Sequence, residues 1–346
     1  MTYLVGKIAL DITAGAPNNG RGENNVGMVK QLRINRETHP YVSAQAFRRW
    51  LRDSLPADEP RSGVTRSGGK SSSSGKLQQA HTEGRPDRYL DDDIFGYMVA
   101  IKDANYQRDT VLATGTLVAV APQRPIRDFG TMSRGFNAGE NPVIHEHEHY
   151  SADLAGDVLL DLPRVGTFEM GGSGLRTALP AEAAKEAERA GAQRVTFRGT
   201  GALRLPIAER RRRVALLLTT LAGLRGGAKR SLHYGDRTPA FVLLAPVKGG
   251  INPFTRVLRT QAQEAVFDDD VLREELNAWA DELDGPVLIG WAPGFLGEQR
   301  EKARAELADL IESGRILIDH PRVALTRLAG QVESGEHDPW FEDATG

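Results

Sequence analysis

The chain has 346 residues, 40% hydrophobic and 26% charged, the balance of a soluble globular protein with one large domain or a domain carrying insertions. It contains no cysteine, which excludes disulfides and thiolate metal sites and fits a reducing compartment. The formal net charge of −2 conceals two opposed runs: 11 Lys/Arg against two acids from Arg194 to Arg237, and 20 Asp/Glu against seven Lys/Arg from Glu264 onward. One surface can therefore hold a polyanion while another repels it or docks a basic partner.

Residues 3–13 alternate, with Leu4, Ile8, Leu10 and Ile12 on one side and Lys7, Asp11 and Thr13 on the other. This predicts a half-buried strand, not a signal peptide. No apolar run has the length of a bilayer span, so the expected location is the cytoplasm. After a polar Gly/Asn/Pro loop, Ser43 is placed to cap a helix in which Ala46, Phe47, Trp50, Leu51 and Leu55 recur at helical spacing. From Pro56 to Arg88 the chain is polar, with "RSGVTRSGGKSSSSGK" within it, and reads as a mobile basic loop.

"YLDDDIFGYMVA" predicts a short helix and "TVLATGTLVAVAP" a second strand, ended by Pro122. Residues 123–142 hold Pro125, Gly130, Gly135, Gly139 and Pro142, the makings of an extended excursion. "HYSADLAGDVLLDL" alternates as a third strand. An insertion runs from about Pro163 to Pro206. "IAERRRRVALLLTTLAGL" follows as a second clear helix, around which Arg210 to Arg213 fan so that at least two are expected in solvent. "AFVLLAPV" is a fourth strand. Beyond Gly250 the pattern is mainly helical and acidic, broken by "PVLIGWAP".

Without the insertions the order is strand, helix, strand, strand, helix, strand. That is the split βαβ, or ferredoxin-like, arrangement of an α+β protein. Its sheet carries helices on one face and leaves the other available, as in RNA-recognition (RRM-like) modules.

Residues 145–149, "HEHEH", contain the His-Glu-x-x-His spacing of zinc hydrolases. That chemistry needs a helix to bring His145 and His149 to one face beside Glu146. Here the period is two, Pro142 precedes, and strand follows. On a strand His145, His147 and His149 share one face and Glu146 and Glu148 the other. The expectation is a polar hairpin arm with no functional metal and no cofactor.

"RGGAKRS" lacks the adjacent Gly-Lys-Ser/Thr of a phosphate loop, and it follows a helix. Gly226 and Gly227 can still admit close approach of backbone to a ligand, and Lys229 and Arg230 offer charge to phosphates. The most informative stretch is 24–52. Lys30, Arg33, Arg36, Arg48, Arg49 and Arg52 interleave there with Asn24, Asn25, Ser43 and Gln45. Cations neutralise phosphates, and amides and hydroxyls bond sugar and phosphate oxygens without reading sequence. The predicted RNA-binding set is Asn25, Lys30, Arg33, Ser43, Gln45, Arg48, Arg49, Arg52, Gly226, Gly227, Lys229 and Arg230.

Three blocks give a family resemblance. "QLRINRETHPYVSAQAFRRWLRD", "DDDIFGYMVA" and "RGGAKRSLHYGDRTPAFVLLA" resemble, in order, motifs of the backbone subunit of type I CRISPR effector complexes (Cascade), the DevR-type branch of the RAMP superfamily. They bracket roughly the first 250 residues. The resemblance implies a hand-shaped protein: a discontinuous palm at 1–52, 109–122, 151–165 and 207–260, fingers at 53–108 and a thumb hairpin at 123–150. The insertion at 166–206 has no assigned role, and 261–346 forms an acidic helical region.

It also implies a non-catalytic subunit whose copies stack along a guide RNA, with other Cascade subunits and a target DNA strand as further partners. Arg134, Phe136 and His147 would be thumb contacts. Other RAMP proteins cleave RNA with a metal and a loop aspartate, for which Asp128 is the candidate here.

Overall fold

A computed structural model describes residues 1–21, 27–67, 79–101, 104–137, 139–141, 143–172 and 175–343. The long first strand, β1 (Thr2–Gly15), lies inside a large mixed sheet and is paired on both sides. The other principal elements are β2 (Gln31–Ile34), β3 (Glu37–Val42), α1 (Ala44–Ser54), α2 (Leu90–Phe95), β4 (Leu112–Thr114) and β5 (Leu117–Ala119). These are followed by β6 (Ile126–Met132), β7 (Val143–Asp161), α3 (Ile207–Ala222), β8 (Phe241–Lys248), β9 (Val287–Trp291), β10 (Ile316–Asp319) and α4 (Pro321–Ser334).

The strand order is β10-β9-β8-β1-β7-β5-β3-β2, with β4 and β6 also paired to β7. The pairs are antiparallel, except that β9 runs parallel to β10 and Gly27 pairs in parallel with His147. The fold is therefore α+β with a large, mostly antiparallel sheet.

Local chemistry accounts for the elements that position the site. Ser43 caps α1 by accepting from the Ala46 N–H at 3.4 Å. Phe47, Trp50 and Leu51 then point into the core at helical spacing. Each such burial contributes roughly 1.5–3 kcal/mol. α3 buries Val214, Leu217, Leu218 and Leu221 in the same core as Leu4, Ile8, Leu10 and Ile12 of β1.

The opposite face of β1 is not free. Val5 and Ala9 join Leu243, Ala245, Phe254, Ile289 and Trp291 in a second core. The expected open sheet face is thus covered, because this second set of alternating residues is also apolar. The acidic C-terminal region, expected to be helical, supplies the cover and adds β9 and β10 to the sheet edge. Every residue of β9 is buried.

Of the consecutive arginines of α3, Arg210 and Arg213 are buried, while Arg211 and Arg212 are partly exposed and ion-paired. Arg210 donates to the carbonyls of Pro163, Val165 and Phe341, while Arg211 pairs with Asp338. Arg212 pairs with Glu59 and Glu209, and Arg213 with Asp93 and Glu209. Apart from Glu209 on the helix itself, these partners come from four segments distant in sequence, which helical periodicity does not reveal.

Residues 167–204 fold as a small unit on their own core. Thr167–Gly172, Leu175–Thr177, Gln193–Phe197 and Thr200–Arg204 make an antiparallel sheet, packed by the helix Ala181–Arg189 around Phe168, Leu179 and Leu203. Part of the expected mobile loop, 68–78, lies outside the described residues. On either side of it Thr65–Ser67 pairs with Gln79–His81. Among the described residues no helix is long and apolar enough to cross a membrane.

Candidate nucleic-acid interface

The 19-residue β7 is roughly 60 Å of extended chain at strand rise. Its second half is fixed in the sheet against β1. Its first half leaves the sheet to pair with β6, in a register running from Ile126↔His149 to Met132↔Val143. Residues 145–149 are therefore strand, and the helix that zinc hydrolysis through His145, Glu146 and His149 requires is absent. Asp128 sits on β6 directly opposite His147, not in a loop as expected. Ile126, Met132 and Val143 are exposed on one face of this hairpin, and Phe129 and Ile144 on the other.

Near the base of the hairpin, the end of β1, the loop after α3, and residues 292–295 and 320–322 border an open cleft of about 1020 Å³. Its wall holds Arg225, Arg230, Arg237, Arg322, His233 and His320, against Asp11 and Asp236. Arg225, Arg230 and Arg322 are exposed and make no ion pair among the described residues. Arg237 is 2% exposed, and only its Nη1 is engaged, donating to the Asp236 carbonyl at 2.8 Å. Its Nε and Nη2 have no hydrogen-bond partner. Burial lowers the pKa of this guanidinium, and an anion entering the cleft would relieve that penalty.

The residues expected to bind RNA divide into those left free and those already engaged. Arg33 and Gln45 are exposed, on β2 and the first turn of α1. Lys30 is half-buried, and its backbone bonds Asn18 and Tyr41. Ser43 is committed to the helix cap. Arg48 donates to Thr114 Oγ1 at 3.0 Å, and desolvation lowers its pKa. Arg49 pairs with Asp53 at 2.7 Å. Arg52 lies 3.5 Å from Asp91 and stacks over Phe95.

Gly226 and Gly227 pack against Trp50. A Cβ at Gly226 would stand 2.7 Å from Trp50 Cβ, and Gly227 has φ +89°. Close approach is thus used inside the protein, where the sequence suggested a ligand. Lys229 is half-buried with its Nζ against Gly27, and Arg230 is exposed in the cleft. Arg134 is exposed in the hairpin turn and Phe136 is half-buried there, its N–H donating to the Ser133 carbonyl at 3.2 Å. Asn24 and Asn25 lie outside the described residues.

His147, also expected at the surface, is 5% exposed. Its ring packs on His145, His149 and His233, with centroids at 6.0, 6.4 and 5.0 Å. His149 and His233 are 5.7 Å apart. Donor atoms of Asp128, His147 and His149 all lie within 4.8 Å of one another.

No family model matches the chain, and no curated protein matches it. Solved structures do. A chain of a "CRISPR RNA-guided surveillance complex, pre-nicking" superposes with a TM-score of 0.60 at 10% identity, over 95% of this chain and 100% of that one. A chain of a "CRISPR RNA-guided surveillance complex" superposes with a TM-score of 0.53 at 13% identity, over 95% of this chain and 98% of that one. The chain shares their fold.

Sequence reasoning missed Arg225, Arg237, Arg322 and His233. Arg237 and His233 lie inside "RGGAKRSLHYGDRTP", the block already singled out, but that block shows no sign of which cation is buried. Arg322 opens α4 in the acidic C-terminal region, where net charge pointed away from an anion. Only the fold brings it beside the loop after α3.

Proposed function

We propose that the chain is a non-catalytic guide-RNA-binding subunit of a type I CRISPR surveillance complex (Cascade), whose copies assemble along the guide as its backbone. The end-to-end likeness to chains of CRISPR RNA-guided surveillance complexes carries this reading. The order β8-β1-β7-β5 fits the ferredoxin-like palm expected of the family. The cationic cleft supplies unpaired guanidinium groups for phosphates, and the apolar residues exposed on the hairpin suit a thumb crossing RNA or a neighbouring copy. A guide carrier must accept any spacer, so contacts to phosphate and 2′-OH serve it better than base-edge contacts. Other Cascade subunits, and target DNA paired to the guide, would be further partners. Co-purification with RNA of one uniform length tests the reading. Recovery free of RNA, or with RNA of random length, counts against it.

A second reading, metal-dependent RNA cleavage through Asp128, is favoured by the approach of that carboxylate to His147 and His149. Divalent-dependent cleavage that disappears in Asp128→Ala would establish it in place of the non-catalytic role.

A further inference from the structure

The geometry points to a structural site for a divalent zinc-class ion formed by Asp128, His147, His149 and His233, tying the β6–β7 hairpin to the loop after α3. This site is independent of the RNA-binding reading. The strand register brings Asp128 opposite His147, and the period-two alternation puts His149 on the same face as His147. The loop after α3 then carries His233 over both rings.

Donors in a tetrahedral zinc site with bonds near 2.0–2.1 Å are about 3.4 Å apart. The three donors here, within 4.8 Å of one another, need to close by only about 1 Å or somewhat more.

A second observation points the same way. Both ring nitrogens of His147, Nδ1 of His149 and Nε2 of His233 are buried without a hydrogen-bond partner. The nearest carboxylate oxygen to His147 Nε2 is Asp128 Oδ2 at 3.3 Å, outside hydrogen-bonding geometry. A buried polar atom left unpaired costs about 1–3 kcal/mol, and one ion can take one nitrogen from each of the three rings, three of these four atoms.

The donor set fixes the class of ion. Three imidazoles and one carboxylate, with no thiolate, suit zinc and its neighbours over magnesium or calcium, which prefer oxygen. Lys229 lies nearby and opposes the ion's charge, and Asp128 supplies the compensating carboxylate. Asp128, His147 and His149 already lie within reach of one ion, and His233, whose ring packs on both histidines, must shift onto it to close the four-ligand sphere of a structural site. His145 is not part of it: it is exposed and its cross-strand partner is Gly130.

The test uses untagged, RNA-free, full-length protein. Bound metal is measured by elemental analysis after desalting, and zinc affinity by competition with a chromophoric chelator. One zinc per chain is expected. Asp128→Asn, His149→Gln and His233→Gln should each weaken binding by at least about ten-fold, with His145→Gln unchanged. Circular dichroism checks that each variant is folded. In the wild-type protein zinc should raise the melting temperature and a chelator should lower it, a readout that needs no variant. Sub-stoichiometric zinc in the wild type, or unchanged binding in His149→Gln and His233→Gln, would mean an adventitious ion only and overturns the site.

Discussion

Asp11 of β1 stands directly opposite Asp153 of β7 in the central strand pair. Like charges so placed destabilise a sheet. Burial first, and the Asp11 charge second, push the Asp153 carboxyl up to about 6. A folded-state pKa raised above the unfolded value means that the folded chain binds the proton more tightly. The resulting stability is fully present below about pH 4 and is lost as pH rises through about 6. Asp153→Asn should therefore stabilise the protein by about 1–2 kcal/mol at pH 7.5, after discounting for partial exposure, and by little at pH 4. Denaturant unfolding at the two pH values checks it. Equal gains at both would show that charge is not the cause.

Asp93 lies between two buried guanidinium groups. It pairs with Arg108 and, at 2.8 Å, with Arg213, and it accepts the Gly166 N–H at 2.9 Å. Arg108 also donates to the carbonyls of Arg164 and Thr167. The network joins α2, α3 and the start of the inserted unit. Asp93→Asn keeps the shape and removes the one carboxylate shared by both buried cations, leaving Arg213 with Glu209 and Arg108 with Glu169 at 3.5 Å. It should cost about 3–5 kcal/mol, read as a lowered denaturation midpoint. A loss below about 1 kcal/mol would show that solvent reaches the pair.

Periodicity made the central elements legible. Leu4, Ile8, Leu10 and Ile12 share a core with Phe47 and Trp50 of α1, as their spacing predicts. The strand character of "HEHEH" was also legible, because its alternation has period two. What escaped depends on pairing across the fold. The apolar set Val5 and Ala9 gave no sign of which later segment covers it. Asp128 meets His147 only through hairpin register, and His233 joins them from a loop far along the chain. The roles of Arg210 to Arg213 are decided by four separate partner segments. Composition marked that run as basic, and the fold uses it largely as internal cement.

Gly226 provides a test of packing between the loop and α1. An added Cβ would meet Trp50 Cβ and Cγ at 2.7 Å, too close without a shift of the loop or the helix. Gly226→Ala should destabilise by about 1–3 kcal/mol, the usual range for overpacking. Thermal unfolding measures it. An unchanged melting temperature would mean that the loop moves freely away from Trp50.

Arg225 and Arg230 are the cleft cations best suited to report on RNA, since both are exposed and neither has an ion-pair partner among the described residues. Arg48 and Arg49 are poorer reporters, because Thr114 and Asp53 already hold them. Arg225→Ala with Arg230→Ala should weaken binding to unrelated RNA sequences by the same factor, because phosphate contacts carry no sequence information. The slope of log affinity against log salt should become shallower by roughly 0.7 for each phosphate contact removed. Arg49→Ala should have the smaller effect. Titrations of at least two unrelated RNAs at several salt concentrations would show both trends. A loss confined to one sequence, with the salt slope unchanged, would mean that these arginines read bases and would contradict a guide carrier that accepts any spacer.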